Sequence, residues 1–172
     1  MFQKGDYIIY SNTGVCQVED ICTPDGISSA SKDKLYYRLT PVHSQGTIYI
    51  PVDTSIYMRP VISRDEALQL ISNIPDIQTD SFNCRDQRVL AEHYKEKIHT
   101  HECENLIQLI KTLYLKTQTL TQQRKRPCQT DLQYMKKAEE LLHGEISVVL
   151  GIPLEKVPEY ISHLVNEDPA VS

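Results

Sequence analysis

The chain has 172 residues, 40% of them hydrophobic and 24% charged, a balance typical of folded globular proteins and unlike that of disordered or fibrous ones. No apolar run approaches the ~18 residues of a membrane span, and the opening MFQKGDYIIYSNTG lacks the basic patch, apolar core and cleavage site of a secretory signal, so a cytoplasmic protein is expected. The formal net charge is −5, but residues 85–137 hold 11 Lys and Arg against 6 Asp and Glu, whereas residues 138–172 hold one Lys against 7 acids. A local basic block can serve phosphates even in an acidic chain; it equally suits a solvated helix face.

Residues 1–62 carry β signals. Tyr7-Ile8-Ile9-Tyr10 predicts a strand of β-branched and aromatic residues, and Asn12-Thr13-Gly14 a turn. Residues 15–21 alternate as a half-buried strand. Pro24-Asp25-Gly26 predicts a second turn, followed by a Ser-rich polar loop to Lys32. Residues 35–39 and 47–52 read as the third and fourth strands and 57–59 as a short fifth. Pro51 cannot donate to a ladder and is expected at a strand end or edge. Turns every ten residues or so suggest a small antiparallel, barrel-like sheet.

At Ser63 the period changes. Ser63 and Glu66 form a capping-box pattern, with Ala67, Leu68, Leu70, Ile71 and Ile74 as the apolar stripe and Pro75 as the stop. Residues 75–84 read as a linker. Val89, Leu90, Tyr94 and Ile98 then mark one helix face, and Cys103, Leu106, Ile107, Ile110, Leu113 and Tyr114 a second. A polar loop holds Arg124-Lys125-Arg126-Pro127. Thr130 is placed to cap the next helix, whose inner face is Leu132, Met135, Ala138, Leu141, Leu142, Ile146 and Val149. Gly151 ends it, and Pro153 opens a last helix. The expected fold class is α+β: a small antiparallel β-barrel followed by an all-α helical bundle. The expected divisions are residues 1–62, a helix and linker over 63–84, and a helical domain over 85–172.

Little points to catalysis. Cys16, Cys22, Cys84, Cys103 and Cys128 are odd in number and widely spaced without a CxxC pair, against both a disulfide framework and a zinc site. His99, His101 and Cys103 are close in sequence but suggest no fourth ligand, and are expected to cap a helix rather than hold a metal. No nucleophile elbow or phosphate-binding loop is present. No cofactor and no enzyme activity are expected. Arg85, Arg88, Lys95, Lys111, Lys116 and residues 124–126 could contact phosphates. With no Trp in the chain, Phe82 is the free aromatic near them, available as a wedge between bases or as a linker anchor.

The opening MFQKGDYIIYSNTGVCQVEDI, with Phe2, Gly5, Asp6, Ile8, Ile9, Tyr10 and Gly14, resembles the CarD family of bacterial transcription regulators. Ile50-Pro51-Val52-Asp53, Met58-Arg59-Pro60-Val61-Ile62-Ser63, Leu109-Ile110-Lys111-Thr112-Leu113-Tyr114 and Lys137-Ala138-Glu139-Glu140-Leu141-Leu142 extend the resemblance in order along the chain. The resemblance implies a Tudor-like N-terminal domain, similar to that of the transcription-repair coupling factor, that binds the RNA polymerase β subunit. It also implies a helical domain that contacts promoter DNA and stabilises the open complex. On that reading Thr23, Thr47, Ile48, Tyr49 and Ile50 would meet polymerase, and Phe82, Arg85, Arg88, Lys95, Arg124, Lys125 and Arg126 would meet DNA without sequence preference, from a monomer. Tyr49 stands where the family commonly has arginine, and Phe82 lies near the place of a family Trp. A polymerase-binding adaptor without DNA contact is the alternative.

Overall fold

A computed structural model describes residues 1–23 and 33–167; the expected turn at Pro24-Asp25-Gly26 and the Ser-rich loop after it lie outside them. The chain forms two compact units, Met1–Ile62 and Ser63–Ser172.

The first unit is a five-stranded antiparallel sheet of β1 (Tyr7–Tyr10), β2 (Gly14–Cys22), β3 (Tyr36–Pro41), β4 (Ile48–Pro51) and β5 (Met58–Pro60), in the order β4-β3-β2-β1-β5. The sheet is open, with β4 and β5 at its edges, rather than the barrel expected from the turn spacing. The chain reverses between β1 and β2 through a 3-10 turn over Ser11–Thr13 and Gly14, whose φ of 89° is open to glycine at little steric cost. Pro41, Pro51 and Pro60 each close a strand, where a missing N–H does least harm.

One face of the sheet packs Ile8, Cys16, Val18, Tyr37, Leu39 and Ile50, with Phe2, Tyr10, Ile21, Ile48, Val52 and Met58 around them. Burying a large apolar side chain stabilises by roughly 1.5–3 kcal/mol, so this row is the main support of a small unit. Strict alternation along β2 would turn Ile21 away from Val18. The register shifts between Val18 and Asp20, leaving Glu19 as the extra residue, and this bulge returns Ile21 to the core face opposite Tyr37.

The second unit is helical: α1 (Arg64–Ser72), α2 (Gln87–His99), α3 (Cys103–Gln122), α4 (Gln129–Leu150) and α5 (Val157–Glu167). Ser63 caps α1 through the expected reciprocal box: its hydroxyl accepts from the Glu66 N–H at 3.1 Å, and the Glu66 carboxylate accepts from the Ser63 N–H at 2.7 Å. Leu90, Tyr94 and Ile98 form the buried stripe of α2, while Val89 faces solvent. On α3 the buried residues are Cys103, Leu106, Ile107, Leu109 and Leu113, so Leu109 belongs to the core and Tyr114, 53% exposed, does not. Cys128, not Thr130, occupies the position before α4: the backbone at Cys128 is extended after Pro127, and the helix begins two residues earlier. Gly151, at φ 68°, ends α4 in the left-handed conformation. Pro153 precedes a 3-10 turn over Leu154–Lys156 rather than opening α5 directly.

The linker is strapped to α3. Lys111 Nζ donates to the carbonyls of Ile74, Pro75 and Ile77 at 2.7–3.0 Å. Gln108 Nε2 donates to the Gln78 carbonyl at 3.0 Å and the Asp80 N–H to Thr112 Oγ1 at 2.9 Å.

Candidate functional site

Two regions, one in each unit, gather the candidate residues. In the sheet, Ile48, Tyr49 and Ile50 lie on β4 and Thr47 immediately before it. Among the described residues β4 pairs with β3 alone, in the register Tyr36↔Pro51, Tyr37↔Ile50, Arg38↔Tyr49 and Leu39↔Ile48. Ile48 and Ile50 turn their side chains to the core. Tyr49 points to the other face and is 40% exposed, across from Arg38, whose guanidinium lies 3.2 Å from Glu19. Thr23 does not join this group: it follows the end of β2, which β3 separates from β4.

In the helical unit, the candidate cations divide. Arg85 and Arg88 flank the start of α2, where Asp86 Oδ1 accepts from the Arg88 N–H at 2.8 Å. Arg124, Lys125 and Arg126 lie in the loop before α4, all exposed. One contact joins the two places. The Cys128 thiol donates to Gln87 Oε1 at 2.7 Å, which sets the first turn of α2 beside the first turn of α4. Five exposed cations thus share one end of the unit with two helix N-termini, whose free N–H groups also favour anions. Lys95 lies two turns along α2 and pairs with Glu92 at 3.0 Å, away from this end.

Lys111 and Lys116 are not available for phosphates. Lys111 is taken by the linker carbonyls, and Lys116 Nζ lies 2.8 Å from Asp131 Oδ2, a carboxylate only 1% exposed. Asp131 Oδ1 accepts from Tyr94 Oη at 2.7 Å, so this buried carboxylate links α2, α3 and α4. Burial, then the hydrogen bond to Asp131 and its charge, drives the Tyr94 hydroxyl well above the usual tyrosine range.

Phe82, 39% exposed, precedes Arg85 by three residues. Its ring stacks on His93, with centroids 4.0 Å apart and planes at 17°. Its N–H donates to Asp80 Oδ1 at 3.0 Å, and Asp80 Oδ2 bonds His93 Nε2. Burial pushes Asp80 up, but the contacts with His93, the Phe82 N–H and Lys97 outweigh it and hold the carboxyl below its ordinary value. The linker aromatic is therefore anchored and still presents part of its surface to solvent.

The thiols differ. Burial pushes Cys16 up to about 11, which leaves it inert. Cys103 turns inward and donates to Glu145 Oε2 at 3.2 Å, and the rings of His99 and His101 stack on each other. Among the described residues no group of three or more His, Cys, Asp or Glu is arranged to hold a metal ion. At Cys128 burial raises the pKa, but the N–H groups of Asp131 and Thr130 outweigh it and hold the thiol below its ordinary value. No sequence signal marked Cys128 or Gln87 as the join between the two basic segments.

Residues 2–62 match the family model described as the CarD-like/TRCF RID domain. The N-terminal unit belongs to this family. The match ends where the sheet unit ends, so the open β4 edge belongs to a CarD-like domain, and it points to a transcription-related protein that interacts with RNA polymerase. No curated protein matches the chain. No helix among the described residues is long and apolar enough to cross a membrane.

Proposed function

We propose that this protein is a non-enzymatic, cytoplasmic transcription regulator. In this reading the CarD-like unit, a Tudor-like module, binds the RNA polymerase β subunit through its β4 edge, and the helical unit contacts promoter DNA with its basic end and modulates open-complex stability. The observation that carries the reading is the CarD-like/TRCF RID match over the whole unit that owns the open edge. An edge strand offers unpaired backbone groups to a partner strand. The juxtaposition of Arg85, Arg88 and residues 124–126 through Gln87 and Cys128 supports the DNA contact. With polymerase supplying the main affinity, a weak grip on phosphates suffices, because tethering raises its effective concentration. Phe82, anchored on His93 and partly exposed, is an aromatic able to lean on a base.

Salt dependence tests the DNA contact. Replacing Arg124 and Arg126 by alanine is expected to weaken binding to a promoter duplex without changing sequence preference, and to reduce the slope of log K against log salt by about 2, near one unit per phosphate contact. An unchanged slope excludes these residues from the interface. The adaptor reading, with polymerase binding and no DNA contact, is favoured by the internal engagement of Lys111 and Lys116. Polymerase binding by a wild-type chain that has no salt-dependent affinity for the duplex would select it.

A further inference from the structure

The aromatic ring in the linker has one covered face. Phe82 stacks on His93 with ring centroids 4.0 Å apart and planes at 17°, so the face turned to the imidazole is closed to any other partner. The residue is still 39% exposed, and that exposure belongs to the opposite face and the ring edge.

The imidazole behind the ring is itself fixed. The Asp80 carboxyl is held below its ordinary value, and an ionised carboxylate only accepts, so His93 Nε2 carries the proton shared with Asp80 Oδ2. Asp80 Oδ1 accepts from the Phe82 N–H at 3.0 Å. One carboxylate therefore holds both the backbone of the aromatic and the ring beneath it. Asp80 is tied in turn to α3, where Thr112 Oγ1 accepts the Asp80 N–H at 2.9 Å and donates to the Gln108 carbonyl at 2.7 Å. Lys97 Nζ lies 3.9 Å from Asp80 Oδ2, and the Tyr94 ring meets His93 edge-on at 6.2 Å. A side chain ordered before binding loses less freedom when it binds.

An aromatic side chain can meet DNA in two ways. A wedge driven into a base step has a base on each of its faces. A cap stacks on a single base and uses one face. Without leaving His93, Phe82 has one face to offer, and the base it takes must already have lost a stacking neighbour. We infer that Phe82 is a one-sided cap for an unstacked base, that the helical unit prefers DNA containing an unpaired base over a continuous duplex, and that His93 and Asp80 are the positioning residues of this cap. This rests on the reading of the helical unit as the DNA-contacting one, and names the form of DNA that it takes.

The test uses the full chain and two DNAs of equal length with the same ends, one fully paired and one with a short central bubble of mismatched bases. Dissociation constants are measured at several salt concentrations for wild type, Phe82→Ala, Phe82→Tyr and His93→Ala. Wild type is expected to favour the bubble DNA about fivefold or more, the low end for one base stacked on an aromatic ring. Phe82→Ala and His93→Ala are expected to bring the two DNAs within about twofold of each other, with the salt slope, which counts phosphate contacts, as in wild type. Phe82→Tyr keeps the ring and is expected to keep the preference. Ring protons give a direct reading, because the chain has two Phe. Those of Phe82 in the wild type are expected to move upfield with bubble DNA and to stay in place with the paired duplex, a readout that needs no variant to fold. Equal wild-type affinity for the two DNAs, unmoved Phe82 signals, or a preference that survives Phe82→Ala or His93→Ala overturns the inference and leaves the DNA contact standing. Wild type that binds neither DNA overturns both.

Discussion

Asp131 is the residue on which the helical unit most depends. Its carboxylate is 1% exposed and joins Tyr94 of α2 and Lys116 of α3 to α4. Removing one member of such a pair leaves the others desolvated without a partner. Asp131→Ala is expected to destabilise the unit by about 3 kcal/mol, the low end for a broken buried pair because Lys116 is a third exposed, measured by chemical denaturation. None of this was legible in the sequence, where Asp131 reads as an ordinary acid in a helix first turn and Lys116 as part of a basic block. The partners are 37 and 15 residues away, and no local pattern encodes such distances. His143 gives the pH dependence at the same scale. Burial lowers its pKa from 6.5, so the folded chain takes up this proton less readily than the unfolded chain. Its contribution is complete above the unfolded value of 6.5 and is lost as pH falls below it. Thermal melts at pH 7.5 and about 5.5 are expected to show a smaller drop for His143→Leu than for wild type.

At the scale of elements, punctuation was legible and phase was not. Ser63 with Glu66, Gly14, Pro51 and Gly151 mark their boundaries by backbone chemistry that acts locally. Ser63→Ala is expected to cost about 1 kcal/mol in thermal or urea unfolding, the usual worth of an N-cap, and Glu66→Ala to lose part of the same box. The bulge at Glu19 had no such marker. It is visible only when β2 is set against β3 and Ile21 is found on the core face. Similarly, Leu109 and Tyr114 both fit a helical stripe within one residue. Which is buried depends on where α4 packs, and that is tertiary information. The barrel expectation failed for a related reason: turn spacing records how many strands there are, not whether the first and last ones meet.

For the molecule as a whole, charge is informative only once it is placed. A net −5 argues against a partner rich in phosphate until Lys111 and Lys116 are set aside and residues 85, 88 and 124–126 are found at one end. The two units then carry different surface features: an open sheet edge on one, a cluster of exposed cations on the other. Only the first could be approached from the linear sequence, because residues 2–62 carry the family pattern. The second requires the contact between Gln87 and Cys128, 41 residues apart.

The prolines at the ends of β4 and β5 have a consequence for behaviour at high concentration. A sheet edge that accepts one visiting strand can also nucleate stacking between copies, the first step towards a fibril. Here each outward row stops after one or two usable amides, because Pro51 and Pro60 contribute no N–H and their carbonyls are already engaged. That length falls below the six or seven residues that sustain cross-β growth, so the two prolines protect the sheet from self-association.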